Sequence, residues 1–283
     1  MKMVFGVLVL LALGTVFWPQ AAATPAKTLA TIKANAPVVA PSHPQPPVPG
    51  GLSLLRAHDL ALLLQARNPT CNACDFRPLN GFYGPTRYRI ELALVHVVPD
   101  AHQPTLYHVQ GKSLYKKAIA SFSGTITLTQ VVKQPTYSAH EIAESADWSP
   151  LENLPNMYTA IGQYEWRETT TQRGAGVYRG TVALDFTINK DGLAVQKSQT
   201  SKTLTQGGEV KYAGTWTSNT TKRVVPVTWV GDFLGYRGPQ GFSDFNIGDR
   251  GISINPKYAH LGWNNFWEND EWWADTSKST TSL

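Results

Sequence analysis

The 283-residue chain is poor in cysteine, with two, and in methionine, with three, and only 16% of its residues are charged. So little cysteine excludes a miniprotein framed by disulfides. So little charge, beside nine tryptophans, excludes a disordered chain or a coiled coil, and glycine lacks the three-residue period of a collagen-like fibre. Long apolar runs are missing after residue 17, which excludes a polytopic helical membrane protein. The formal charge of +5 is scattered, with Arg87/Arg89, Lys116/Lys117 and Lys222/Arg223 as its densest groups. No stripe neutralises several phosphates together, so nucleic acid is not an expected partner; weak attraction to an acidic envelope or polysaccharide surface is compatible with the charge. Gly-x-Ser-x-Gly, His-Glu-x-x-His and a phosphate-cradling glycine loop are also missing. No catalytic residue, cofactor or metal is assigned on this basis.

Met1 and Lys2 precede an apolar stretch from Val4 to Phe17 and the small residues Ala21-Ala22-Ala23. A short charged start, an apolar core and an Ala-x-Ala end describe a secretory signal over residues 1–23, hence a secreted or periplasmic protein without a membrane span after cleavage. Residues 24–51 contain seven prolines and end in Gly50-Gly51, the composition of a polyproline-rich linker. A single β-rich domain is expected over 52–275 and a polar tail over 276–283. Leu52 to Arg67 is expected to form one helix, capped by Ser53 and ended by Asn68-Pro69.

From Gly81 onward the texture is alternation. It is clear in Tyr88 to Leu94, Thr125 to Thr129, Val177 to Ile188 and Val210 to Trp216. Asp191-Gly192 is the best hairpin signal, and a short helical insert is expected within 138–154. The pattern aromatic-x-Gly-Thr-apolar occurs at Phe122–Ile126, Tyr178–Val182 and Tyr212–Trp216, and in part at Phe82-Tyr83-Gly84. Uneven spacing excludes a solenoid or propeller. Glycine lets a strand coil sharply and a nearby ring covers the bared backbone, so the fold expected is mainly β, an antiparallel barrel or strongly coiled sheet with one N-terminal helix. Tyr212-Ala213-Gly214-Thr215-Trp216 resembles the Gly-x-Trp strand of lipocalin-like (calycin) barrels, which implies an up-and-down barrel around an apolar ligand. It departs from that family in falling late in the chain rather than at the first strand. The Gly-Trp punctuation near the C-terminus also resembles exported bacterial proteins of unknown function.

Cys71-Asn-Ala-Cys74 is the only cysteine pair; in an exported protein a structural disulfide is the first expectation, with redox chemistry or a metal as alternatives. His96, His102 and His108 flank one expected turn and admit a metal only if they converge. Asp244, Asn246 and Asp249 offer oxygens suited to calcium but do not fit the EF-hand spacing, and two late carboxylates facing each other would suit glycoside hydrolysis. Six tryptophans fall between Trp216 and Trp273. Trp216 and Trp229 sit in strand-like runs, where burial is expected. Trp263, Trp267, Trp272 and Trp273, with Asn264, alternate with amide and carboxylate groups outside any strand, as ring platforms for sugars do, or else plug one end of a barrel. Three functions follow as expectations. The first is noncatalytic binding of a small apolar ligand inside the barrel, lined by Ile126, Leu128, Val182 and Leu184. The second is a carbohydrate-binding module or glycosidase, with the late tryptophans exposed in one plane. The third is an envelope structural protein with a filled core.

Overall fold

The computed structural model describes residues 46–65, 78–145, 150–169, 174–249, 251, 253–268 and 271–274. The expected signal, most of the linker, the Cys71/Cys74 pair and the polar tail lie outside the described residues. Among the described residues, nine strands form one antiparallel sheet: β1 Leu79–Tyr83, β2 Tyr88–Pro99, β3 Leu106–Tyr115, β4 Ala118–Lys133, β5 Met157–Glu168, β6 Gly176–Ile188, β7 Ala194–Gln196, β8 Val210–Ser218 and β9 Val224–Val230. The order is β5-β4-β3-β2-β1-β9-β8-β6-β7, and a further pairing of β5 with β6 closes eight strands into a ring, with β7 as a short addition to β6. The expected mainly β fold is therefore a barrel, and its strands follow one another up and down around the ring.

Period-two patterning builds the interior. Ile90, Leu92 and Leu94 of β2, Ile126 and Leu128 of β4, Val182 and Leu184 of β6 and Val227 of β9 face inward and are buried. Among them lie Phe122, Tyr164, Trp166, Tyr178, Tyr212 and Trp229 in one continuous core. Each buried tryptophan contributes roughly 4–6 kcal/mol of gross transfer energy. The positions expected to line an apolar cavity do face inward, but aromatic rings pack against them.

The motif glycines do what coiling requires. Gly180 and Gly214 are direct cross-strand partners, and a Cβ on Gly214 would stand 2.0 Å from the Arg179 carbonyl oxygen. A Cβ on Gly124 would stand 2.0 Å from the Glu165 carbonyl oxygen. Ring cover holds at neighbouring inward glycines: Gly81 lies under Trp229, Gly111 under Phe122 and Gly176 under Trp216.

The N-terminal helix differs from its expected form. It is broken into α1 Gly51–Ala57 and α2 Ala61–Leu64, with His58 extended between them. Gly50 rather than Ser53 is the N-cap of α1, and the Asp59 carboxylate accepts from the Ala61 amide (2.9 Å) to start α2. The break turns Leu55, Leu60, Leu63 and Leu64 together onto one end of the barrel, where each is buried. There the Tyr212 hydroxyl donates to the Leu64 carbonyl (3.1 Å), and Gln65 Nε2 donates to the Leu94 and Val95 carbonyls. Pro47 bridges to Val132 and the Val48 amide donates to the Val131 carbonyl (2.8 Å), so the end of the proline-rich segment lies against β4.

Two local signals hold as expected. The Asn189 side chain accepts from the amides of Asp191 (3.0 Å) and Leu193 (2.8 Å) in the β6–β7 hairpin, with Gly192 at φ 77°. The helical insert is α3 Ala139–Ser145, opened by a reciprocal Ser138/Glu141 capping box.

Candidate functional site at the barrel mouth

At the end of the barrel opposite α1 and α2, the last inward positions of several strands are aromatic and only half buried. They are Tyr83 of β1, Tyr115 of β3 and Trp216 of β8. The Tyr83 and Tyr115 ring centroids are 4.3 Å apart, and Tyr83 lies 6.1 Å from Trp216. Lys116 Nζ stands over Tyr88 (5.3 Å) and Tyr115 (5.4 Å), placing a cation on the outer rim.

Beneath these rings Glu168, the last residue of β5, is buried although it ends a strand. Three neutral donors hold it. Its Oε2 accepts from the Gly176 amide (2.7 Å) and Trp216 Nε1 (2.9 Å), and its Oε1 accepts from the Tyr178 hydroxyl (3.1 Å). Ser113 Oγ is 3.4 Å from the same Tyr178 hydroxyl. Burial, reinforced by the Glu168 charge, raises the Tyr178 hydroxyl well above its ordinary range. Burial, then the neighbouring Tyr115, pushes Tyr83 up to about 12. The phenols therefore stay protonated near neutral pH, and the mouth combines flat apolar faces with one buried carboxylate.

Sequence reasoning missed this site because its parts lie in β1, β3, β5, β6 and β8, far apart in the chain. The one signal present was Trp216, within the calycin-like stretch. Tyr83, in the partial motif copy, belongs to the mouth as well.

The late tryptophans sit elsewhere, in a layer over the outer face of β1, β2 and β9. Phe82, pointing outward from β1, is ringed by Phe233 (5.3 Å), Phe242 (5.6 Å) and Trp263 (5.5 Å). Trp263 is 0% exposed, and its Nε1 donates to the Arg87 carbonyl (3.1 Å). Trp273 is buried and its carbonyl accepts from Lys112 Nζ (2.7 Å). Trp272 is half buried and donates to Glu91 Oε2 (3.2 Å), with its ring at 85° to that of Trp273. Only Trp267, 45% exposed, and Asn264 face solvent. The expected single plane of four exposed rings is not formed: the segment covers the barrel wall, and most of its rings are the cover. It does not plug a barrel end either. A cleft of about 310 Å³ beside this layer is lined by Phe82, Pro85, Arg87, Pro226 and Gln240. The Arg87 guanidinium in its lining stacks over Phe242 (4.4 Å).

The calcium reading of Asp244 fails on its partners, since its carboxylate accepts from Lys257 Nζ, the Tyr258 hydroxyl and Asn255 Nδ2. Asn246 Oδ1 closes a turn by accepting from the Gly248 and Ser253 amides. His108 pairs with Asp100 (2.8 Å), and His96 is exposed on the outside of β2, so the three histidines do not converge. Compared with known proteins, the chain matches no family model, no curated protein and no solved structure.

Proposed function

We propose that the protein is exported and binds a small, largely apolar molecule at the mouth of its barrel without transforming it. The observation that carries this reading is the set of half-buried rings, Tyr83, Tyr115 and Trp216, gathered over the buried Glu168 carboxylate. These three large rings stand partly in water at the strand ends. An eight-stranded ring has an interior just wide enough to be filled by side chains or to hold one small ligand. Here aromatic rings pack much of the depth, which favours a ligand that enters at the mouth and reaches no further than the ring layers beneath it. The test is the intact mass of the purified protein under native and then denaturing conditions. A mass excess that disappears on denaturation supports the reading and gives the mass of the ligand; no excess, with Trp216 emission insensitive to a panel of apolar compounds, overturns it.

Exposure of Trp267 beside Asn264 favours a second reading, a glycan contact on the outer layer. Because that ring is already half in water, Trp267→Ala leaves the fold intact. Loss of binding to a glycan array in this variant supports the contact, whereas an unchanged profile removes it.

A further inference from the structure

We propose that the barrel wall just below the mouth is built to receive a neutral hydrogen-bond acceptor, such as the oxygen of a ketone or quinone carried on an apolar ring; this rests on the reading of the barrel as a ligand-binding protein. Inward from Glu168 along β5 come Trp166 and then Tyr164, on the same face at alternate positions. Across the interior stands Trp229 of β9, with its ring 6.2 Å from that of Trp166. Trp166 Nε1, Trp229 Nε1 and the Tyr164 hydroxyl are all buried, and none has a hydrogen-bond partner among the described residues. Their surroundings explain why: Phe122 stacks on Trp166 at 5.2 Å, and Tyr164 and Tyr212 crowd it with ring faces rather than oxygens.

An indole N–H only donates, so two of the three groups can be satisfied by nothing but an acceptor. Leaving buried donors unmade is costly, and barrels normally avoid it. Tyr178, by contrast, lies 5.3 Å from Trp229 ring to ring and has its partners. Of the buried donors without a partner among the described residues, three lie inside the barrel below the mouth, and the fourth, Gln196 Nε2, lies apart on β7.

Charge narrows the ligand class. At the mouth end of the described ring strands, Glu168 is the charged residue on the inward face. It sits one layer above the donors, while the nearby cations Lys116 and Arg223 act on the outer rings Tyr115 and Tyr83. A carboxylate ligand would meet that charge at short range in a medium of low polarity. An ammonium ligand would find donors where it needs acceptors. A neutral carbonyl satisfies the donors without either conflict.

Three probes of matched size separate these cases: acetophenone, benzoate and ethylbenzene, titrated against the full chain by calorimetry. Acetophenone is expected to bind at least about tenfold more tightly than the other two. Trp166→Phe, Trp229→Phe and Tyr164→Phe each keep a ring and remove a single polar group. Each is expected to weaken acetophenone by about 3–10-fold and leave ethylbenzene unchanged. Tyr164→Phe deletes one oxygen only, so it remains informative if an indole exchange disturbs packing. Equal binding of ethylbenzene and acetophenone, or acetophenone binding indifferent to all three substitutions, overturns the acceptor site and leaves the binding function standing. Tightest binding by benzoate overturns the neutral class. Failure of all three probes overturns the inference, and it overturns the binding function too only if native mass also shows no bound molecule.

Discussion

Glu209 shows how one residue carries two separate liabilities. Its backbone is left-handed, at φ 61°, and its carboxyl is pushed up to about 7 by burial and then by the Asp232 and Asp185 charges. A raised carboxyl pKa means the folded state binds the proton more tightly than the unfolded chain. Its contribution to stability is fully present below the ordinary 4.5 and is lost as pH rises through about 7. Asp185, also raised by burial, acts with the same sign. Glu209→Asn removes the carboxyl and places a residue tolerant of left-handed backbone there. Thermal melts across pH 4.5 to 7 should show a shallower decline for the variant, and a higher melting temperature above that window. An unchanged slope would mean the carboxyl is already solvated. None of this was legible beforehand, because Glu209 sits among Gly207-Gly208 in what reads as an ordinary polar turn.

At the scale of single elements, the strands were the most legible part of the chain. Alternation placed β2, β4, β6 and β8 correctly, since one face of each had to meet the core. Helix reading did less well at 52–67: periodicity sees a run of leucines but not the barrel end they must cover, and that end rather than propensity decides the break at His58. The motif glycines allow a direct test. On β8, Gly214→Ala puts a methyl group 2.0 Å from the Arg179 carbonyl and against Gly180. The two strands must separate or flatten, and overpacking of this kind costs about 1–3 kcal/mol. A melting temperature equal to that of the wild type would show that the sheet does not depend on this close approach.

On the scale of the whole molecule, the barrel and its outer layer are joined through buried charge. Arg89 and Glu91 alternate with Ile90 and Leu92, a pattern that assigns them to solvent, yet both are buried. The layer over β2 covers them and supplies their partners. Arg89 contacts Glu91 (3.2 Å), Asn80 (2.9 Å) and Asn265 (3.1 Å), and lies near the rings of Trp263 and Phe266. Arg89→Ala leaves the Glu91 carboxylate buried with less support, a loss of about 3–5 kcal/mol for a broken buried pair. Limited proteolysis should then cut within 231–268 while the strands stay protected. Cleavage spread evenly over the chain would instead show one cooperative unit.

By itself the sequence determined the period of the strands, the positions of sharp coiling, the hairpin at Asp191-Gly192 and the inward set of apolar residues. Each of these rests on a local rule, one residue against its near neighbours. Only the tertiary structure decided that the sheet closes through β5 and β6, that Trp263 and Trp273 cover a wall instead of facing solvent, and that Glu168 lies beneath three rings drawn from three strands. Those outcomes depend on which surfaces meet across the barrel. Alternation along one strand carries the side a residue faces but not what stands on that side.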